Sequence, residues 1–274
     1  MMLGMNTAVL SPHFDDAVLS CWSVLAGGGD VTVVNAFTAL PPPGGPVAWW
    51  DRATGAQDSA TRMLERRDED HAALELVGRR GVNLGLLDGQ YATRGEGATS
   101  ELAARLREVL AGVTVVLAPA GLGGHPDHVV VRDAALSLAR DRWRVRLYAD
   151  LPHAIGRGWP DWVLGGRDRL SADIAAEWAG ELAAGGVIPD RLEGHVERLD
   201  ADARARKLRA LAAYRTQRDA LDPMAFAPLD DPRTLAFEVT WGVPASALRA
   251  LHQAVGDPGV ADADAGGEAL HERG

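Results

Sequence analysis

Two stretches of the chain concentrate side chains that can bind a metal ion or move a proton: SPHFDD at residues 11–16 and GLGGHPDH at residues 121–128. A helix cap accounts for one aspartate at the start of a helix, but not for two with a histidine just ahead of them. A catalytic zinc site takes three protein ligands from histidine and carboxylate and leaves a fourth position for water. His13, Asp16 and His128 supply such a set, and Asp15 and His125 remain as a general base and a general acid. A His₂–carboxylate set accepts Fe²⁺ as well as Zn²⁺. Either stretch alone is weak, because a histidine near two aspartates or a capped helix with stray histidines arises by chance.

The elements around them say how the two stretches could meet. TAVLS (7–11), VTVVNAF (31–37), VNLGLL (82–87), VTVVLAP (113–119) and VRLYAD (145–150) are short, apolar and rich in β-branched residues, the pattern of strands buried on both faces. Helical spacing is expected between them at 15–27, 57–78, 99–111 and 127–141, with the Gly stop of ELAARLREVLAG ending the third. Alternation with short links predicts an α/β fold, a Rossmann-like three-layer sandwich around a mainly parallel sheet. Sites in such sheets lie beyond the carboxyl ends of the strands, where both stretches fall. After residue 150 the pattern loosens: a loop is expected over 154–171, helices near 172–184 and 200–219, and a late strand in LAFEVTWGV (235–243). One domain is expected over 1–255, with a disordered Gly/Ala/Asp-rich tail at 256–274. The Pro/Gly loop LPPPGGPVAWW (40–50) is either a wall or lid of the site or a loop packed on its own tryptophans.

Composition narrows the class. The chain has 274 residues, 47% hydrophobic and 24% charged, enough for a well-buried core. A formal charge of −10 argues against nucleic acid or an anionic membrane surface as main partner. The single cysteine, Cys21, forbids an intrachain disulfide. The N-terminus lacks a basic, long-apolar leader pattern and no run spans a membrane, so a cytoplasmic location is expected.

With both stretches placed, PHFDD (12–16) and HPDH (125–128) resemble the two motifs of the PIG-L (LmbE-like) family of zinc-dependent N-deacetylases, written PHxDD and HxxH. ERRDEDHAALELVG (65–78), VNLGLLDGQ (82–90) and KLRALAAYRTQ (207–217) resemble further family stretches, so the likeness runs from residue 7 to about 218. The resemblance implies metal-dependent hydrolysis of an N-acyl group, commonly acetyl, from an amino sugar or sugar conjugate. It implies His13, Asp16 and His128 as zinc ligands, Asp15 as general base, and His125 as the group that meets the oxyanion and protonates the leaving amine. Asp127 falls where a carboxylate would orient a histidine, and Arg66 where an arginine reaches a substrate hydroxyl or phosphate. Two departures stand out: GLGG ahead of HPDH carries no side-chain donor, and FTALPPPGGP keeps Thr38 but no acidic partner. The partner implied is a small N-acylated molecule, with a homo-oligomer left open. The alternatives are deacylation of a non-sugar amide in secondary metabolism, or a metal- or nucleotide-binding module without turnover. SPHFDD counts against a dinucleotide, since it replaces the glycines that admit a pyrophosphate.

Other residues read more blandly. His71 belongs to a charged helix surface, while His195, His252 and His271 have no partners at metal spacing. His153 follows a strand end and is a candidate to line the pocket. Asp150, at the same strand end, reads as a solvated loop carboxylate, with buttressing of a histidine as the alternative. Trp49, Trp50, Trp159 and Trp162 are expected in loops, suited to stacking on a sugar or aglycone or to packing.

Overall fold

A computed structural model describes residues 6–93, 95–166 and 169–249. The expected tail at 256–274, His252 and His271 lie outside the described residues. The strands are β1 (Thr7–Ser11), β2 (Val31–Asn35), β3 (Gly81–Asn83), β4 (Val115–Pro119), β5 (Arg144–Tyr148), β6 (Glu193–Arg198) and β7 (Phe237–Gly242). They form one sheet in the order β3-β2-β1-β4-β5-β7-β6. The first five run parallel, whereas β7 is antiparallel to both β5 and β6. The expected mainly parallel α/β sheet is therefore the observed one.

The helices are α1 (Asp16–Ser20), α2 (Trp22–Leu25), α3 (Trp49–Ala53), α4 (Ser59–Glu75), α5 (Ala98–Val109), α6 (Pro126–Leu138), α7 (Asp161–Leu164), α8 (Arg169–Ala184), α9 (Ala201–Leu211) and α10 (Arg218–Leu221). The first expected helix breaks at Cys21 into α1 and α2, and the one expected over 200–219 stops at Leu211. Glu238, reaching across from β7, explains the break: its carboxylate accepts from the Trp22 and Ser23 amides at 2.7 and 2.9 Å and so starts a new helix there.

The sequence pattern did not anticipate β6. Its six residues, EGHVER, are exposed or half-buried, so the apolar alternation that marks a strand is missing. Conversely, β1 and β4 carry unbroken apolar runs because both of their faces are covered, and Ala8, Val9, Val116 and Ala118 are fully buried. Strand order reverses between β1 and β4, each of which pairs onward in opposite directions. A crevice opens outside the carboxyl ends at such a switch. Both motifs sit at it, one after β1 and the other after β4.

Candidate metal centre and active-site cleft

The turn after β1 is tied by its own side chains. Ser11 Oγ accepts from the Ala17 amide at 3.0 Å and donates to the His13 carbonyl. The His13 amide donates to Asp16 Oδ2 at 2.7 Å, which aims the other carboxylate oxygen away from the turn. Asp15 occupies the N-cap position of α1 yet makes no capping hydrogen bond. The helix-cap explanation thus fails for both aspartates: one is locked into the turn and the other is held free of it.

After β4, loop 121–124 turns into α6, with His125 as N-cap and Pro126 at the first helical position. His125 Nδ1 accepts from the Asp127 amide at 3.3 Å, which leaves Nε2 to carry the ring proton. One turn of helix then buries His128 completely beneath it.

Across the crevice the two motifs meet. His128 Nε2 lies 3.4 Å from Asp16 Oδ1, and His13 Nδ1 lies 3.4 Å from Asp16 Oδ2. His13, Asp16 and His128 each offer a donor atom within 4.8 Å of the others. His128 Nδ1 bonds Asp150 Oδ1 at 2.8 Å, and Asp150 Oδ2 accepts from the Leu122 amide at 3.0 Å. His13 Nε2 lies 3.1 Å from Asp127 Oδ2, which also accepts from the Gly89 amide. Each of these histidines thus turns one nitrogen toward Asp16 and rests the other on a carboxylate, the arrangement that orients metal-ligating imidazoles. Asp150 is fully buried, so the reading of it as a solvated loop residue is corrected. Its two oxygens are taken up by the His128 ring and the Leu122 amide.

The donor chemistry fits a divalent ion. His128 Nε2 is buried and has no hydrogen-bond partner among the described residues, although it points at a carboxylate. Five carboxylates (Asp15, Asp16, Asp88, Asp127, Asp150) crowd the site against one guanidinium, Arg66, an excess that a dication would reduce. A second triple, His13, His125 and Asp127, also falls within 4.8 Å. It fits less well, because Asp127 Oδ2 already serves the Gly89 amide and the His13 ring.

The electrostatics follow from burial and those charges. Burial would lower His13, yet Asp127, Asp16 and Asp88 hold it well above the ordinary imidazole value. Burial likewise opposes Asp16, but His128 and His13 keep its carboxyl far below the usual range. Asp15 moves the other way: burial and then the Asp16 charge raise it, against the pull of Arg66. Burial, followed by the neighbouring imidazoles, pushes His125 down to about 4 and His153 down to about 3. Two adjacent aspartates are therefore driven apart, one to stay ionised and the other to take up a proton more readily.

A cavity of about 540 Å³ opens over this centre. His13, Asp15, Asp16, His125 and Asp127 form its floor, Arg66, Asp88 and Gln90 one wall, and Trp49, Trp50, Leu221 and Met224 an apolar rim. Arg66 reaches it because α4 buries Arg62, Arg66, Glu69, Asp70 and Ala73 at helical spacing. Its Nε and Nη1 are buried without a hydrogen-bond partner among the described residues, and Nη1 lies 3.7 Å from Asp88. Arg67 is half exposed and outside the cavity. Trp49 is 63% exposed and stands edge-on to Trp50, whose Nε1 donates to Gln217 Oε1 at 2.7 Å. The 40–50 stretch therefore ends as cavity rim, on α3 rather than in a loop. Trp159 and Trp162 line a different hollow with Phe226 and Phe237. His71 and His195 are exposed, as expected. Asp88, in the Asp-Gly turn after β3, also lines the cavity, and His153 forms a half-buried part of its wall.

The PIG-L family of GlcNAc-PI de-N-acetylases matches residues 8–139. The structure of the A40926 pseudoaglycone deacetylase Dbv21 is 30% identical, with TM-score 0.67, and the match covers 89% of this chain and 99% of that one. The zinc-inhibited form of teicoplanin deacetylase Orf2 is 27% identical at TM-score 0.67, with 87% and 98% covered. A deacetylase–teicoplanin complex is 27% identical at TM-score 0.65, with 88% and 98% covered. No curated protein matches the chain. With both motifs converging on one His/Asp centre and the likeness extending over nearly the full length of Dbv21, the chain belongs to the PIG-L family of metal-dependent N-deacetylases.

Proposed function

We propose that the chain removes an acetyl group from the nitrogen of an amino sugar carried on a larger, partly apolar molecule, using Zn²⁺ held by His13, Asp16 and His128. The observation that carries this reading is the buried Nε2 of His128, without a hydrogen-bond partner among the described residues, facing Asp16 and His13 across the crevice. When bound, such an ion lowers the pKa of water to about 7 and polarises the acyl carbonyl.

The chain's own residues do the rest. Asp15, at the cavity floor and free of any capping bond, accepts the proton that the attacking water gives up. Its raised affinity for a proton suits it to hold that proton and pass it to the departing amine. His125 is neutral at pH 7 and keeps its proton on Nε2, so it meets the carbonyl oxygen as a hydrogen-bond donor rather than as an acid. That refines the expectation that it protonates the amine. Arg66 offers its unpartnered N–H groups to a substrate oxygen, a hydroxyl or carboxylate on the sugar. The exposed ring of Trp49, set edge-on to Trp50, gives an apolar face at the mouth, which suits a sugar ring or aromatic aglycone. The chain's likeness to a pseudoaglycone deacetylase and to teicoplanin deacetylases supports a conjugate over a free monosaccharide.

Acetate release from the Zn²⁺-loaded protein tests the reading, across N-acetylglucosamine, its aryl glycosides and an N-acetylglucosaminyl glycopeptide. Hydrolysis of the glycosides above the free sugar is expected. A metal-loaded protein that releases acetate only from non-sugar amides would overturn it.

A further inference from the structure

The wall of the cavity beside loop 121–124 poses a problem for any acyl transfer. Carbonyl oxygens that gain charge in the transition state need donors, and loops entering a helix often provide them as backbone amides. Here three of the four loop amides are already committed. Leu122 N–H donates to Asp150 Oδ2 at 3.0 Å, Gly123 N–H to Glu181 Oε2 at 2.7 Å, and Gly124 N–H to the Gly121 carbonyl at 3.2 Å. The side chains of Gly-Leu-Gly-Gly offer no donor.

The space that a side chain on this loop would fill is taken by His153. A Cβ on Gly123 would come within 2.9 Å of the His153 Cβ and 3.0 Å of its carbonyl oxygen, and the backbone there has φ of +79°. A side chain at 123 is therefore excluded by the Cβ and backbone of His153. The segment after β5 sets the ring precisely over the site by its other residues. Asp150 holds His128, Ala154 N–H returns to the Asp150 carbonyl at 2.7 Å, and the His153 ring stands 5.0 Å from the His128 ring and 5.3 Å from the His125 ring. His13, His125 and His153 thus line one cavity, and only the first two have been given a task.

We propose that His153 is a further catalytic residue, whose ring N–H, with that of His125, binds the acyl carbonyl oxygen as it gains charge. It replaces the donors that the glycine loop lacks. No proton is transferred: the ring donates a hydrogen bond that strengthens as the oxygen becomes negative. This rests on the deacetylase reading above and adds a residue to it.

His153→Phe keeps an aromatic ring without a donor, and His153→Asn keeps a donor without the ring. Metal content by mass spectrometry and melting temperature are followed for both. With the best substrate of the panel, His153→Phe is expected to lose about 10²-fold in kcat with KM changed less than about threefold, as for loss of one oxyanion donor. His153→Asn should recover about tenfold of that loss. Acetate, the product anion, provides a readout that needs no turnover: titrated into Zn²⁺-loaded protein, it should bind about tenfold more weakly to His153→Phe. If the unaltered protein hydrolyses nothing in the panel, the deacetylase reading fails while the acetate titration still decides the role of His153. Unchanged kcat and acetate affinity in His153→Phe would overturn the proposal, and so would losses that track loss of metal or that Asn does not relieve.

Discussion

Asp127 and Asp150 sit in different elements, yet each supports one imidazole of the centre, Asp127 beneath His13 and Asp150 beneath His128. Partners of this kind fix ring orientation and raise basicity, and their loss typically costs 10–100-fold in metal affinity. Asp150→Asn is accordingly expected to weaken Zn²⁺ binding by about one to two orders of magnitude in a competition titration with a fluorescent chelator. Asp15→Asn should behave in the opposite way, retaining the metal while kcat falls by about 10²–10⁴, because a proton acceptor is removed and no ligand is. Loss of metal from Asp15→Asn, measured on dialysed protein, would place that carboxylate among the ligands instead. Asp15, Asp16, His13, His125 and His128 were legible in the sequence because two short motifs concentrate them. Asp88, Asp150 and His153 lie outside those motifs, and Asp150 is buried where a solvated loop carboxylate is the plainer expectation. Each is a lone residue beyond a strand end, and only the parallel register of β3 and β5 with their neighbours shows that those ends converge.

At the scale of elements, the centre is braced from behind by α4 and the segment after α9. Thr216 donates from both its amide and its hydroxyl to Glu69, at 3.0 and 2.8 Å. The Tyr214 hydroxyl lies 2.9 Å from Asp70 Oδ1 and 3.1 Å from the carbonyl of Phe14, inside the first motif. A tyrosine has one proton to give, so both contacts are satisfied when Asp70 is protonated and donates to Tyr214, which donates on to Phe14. Burial pushes Asp70 up to about 7, in keeping with that arrangement. The folded state therefore binds this proton more tightly than the unfolded chain does, and Asp70 contributes most stability below its unfolded pKa near 4. That contribution falls as pH rises through about 7 and is gone above it. Urea unfolding of the parent and of Asp70→Asn between pH 5 and 8 should show the parent losing stability relative to the variant as pH rises; parallel curves would contradict this. A second brace, Lys207 Nζ on Glu238 Oε1 at 2.7 Å, joins α9 to β7 with both side chains buried. Removing the cation strands a buried carboxylate, so Lys207→Met is expected to cost about 3–5 kcal/mol in chemical denaturation, and a loss below about 1 kcal/mol would refute the brace. Apolar patterning revealed the five parallel strands and β7. It could not reveal β6, whose exposed residues have no buried face to alternate with, nor the break at Cys21, which a carboxylate 217 positions away imposes.

Across the whole molecule, the decisive feature is where the sheet changes direction. β1 and β4 lie side by side at the switch, so residues 13–16 and 125–128 meet although more than a hundred positions separate them. The same convergence gathers four carboxylates and one arginine in the floor and wall of a cavity whose rim is apolar, with a fifth, Asp150, buried behind His128. No single element needs that charge; it makes sense for the molecule as the shell of a dication, and a sequence pattern could only suggest it from the two histidine motifs. The net charge of −10 counts the whole chain and does not by itself distinguish this centre. Diffraction from crystals soaked in Zn²⁺, with anomalous data on both sides of the zinc absorption edge, tests the central claim most directly. One strong anomalous peak is predicted at about 2.0–2.2 Å from a ring nitrogen of His13, from Nε2 of His128 and from a carboxylate oxygen of Asp16. A peak bonded instead to His125 and Asp127, or none between the two motifs, would contradict the account.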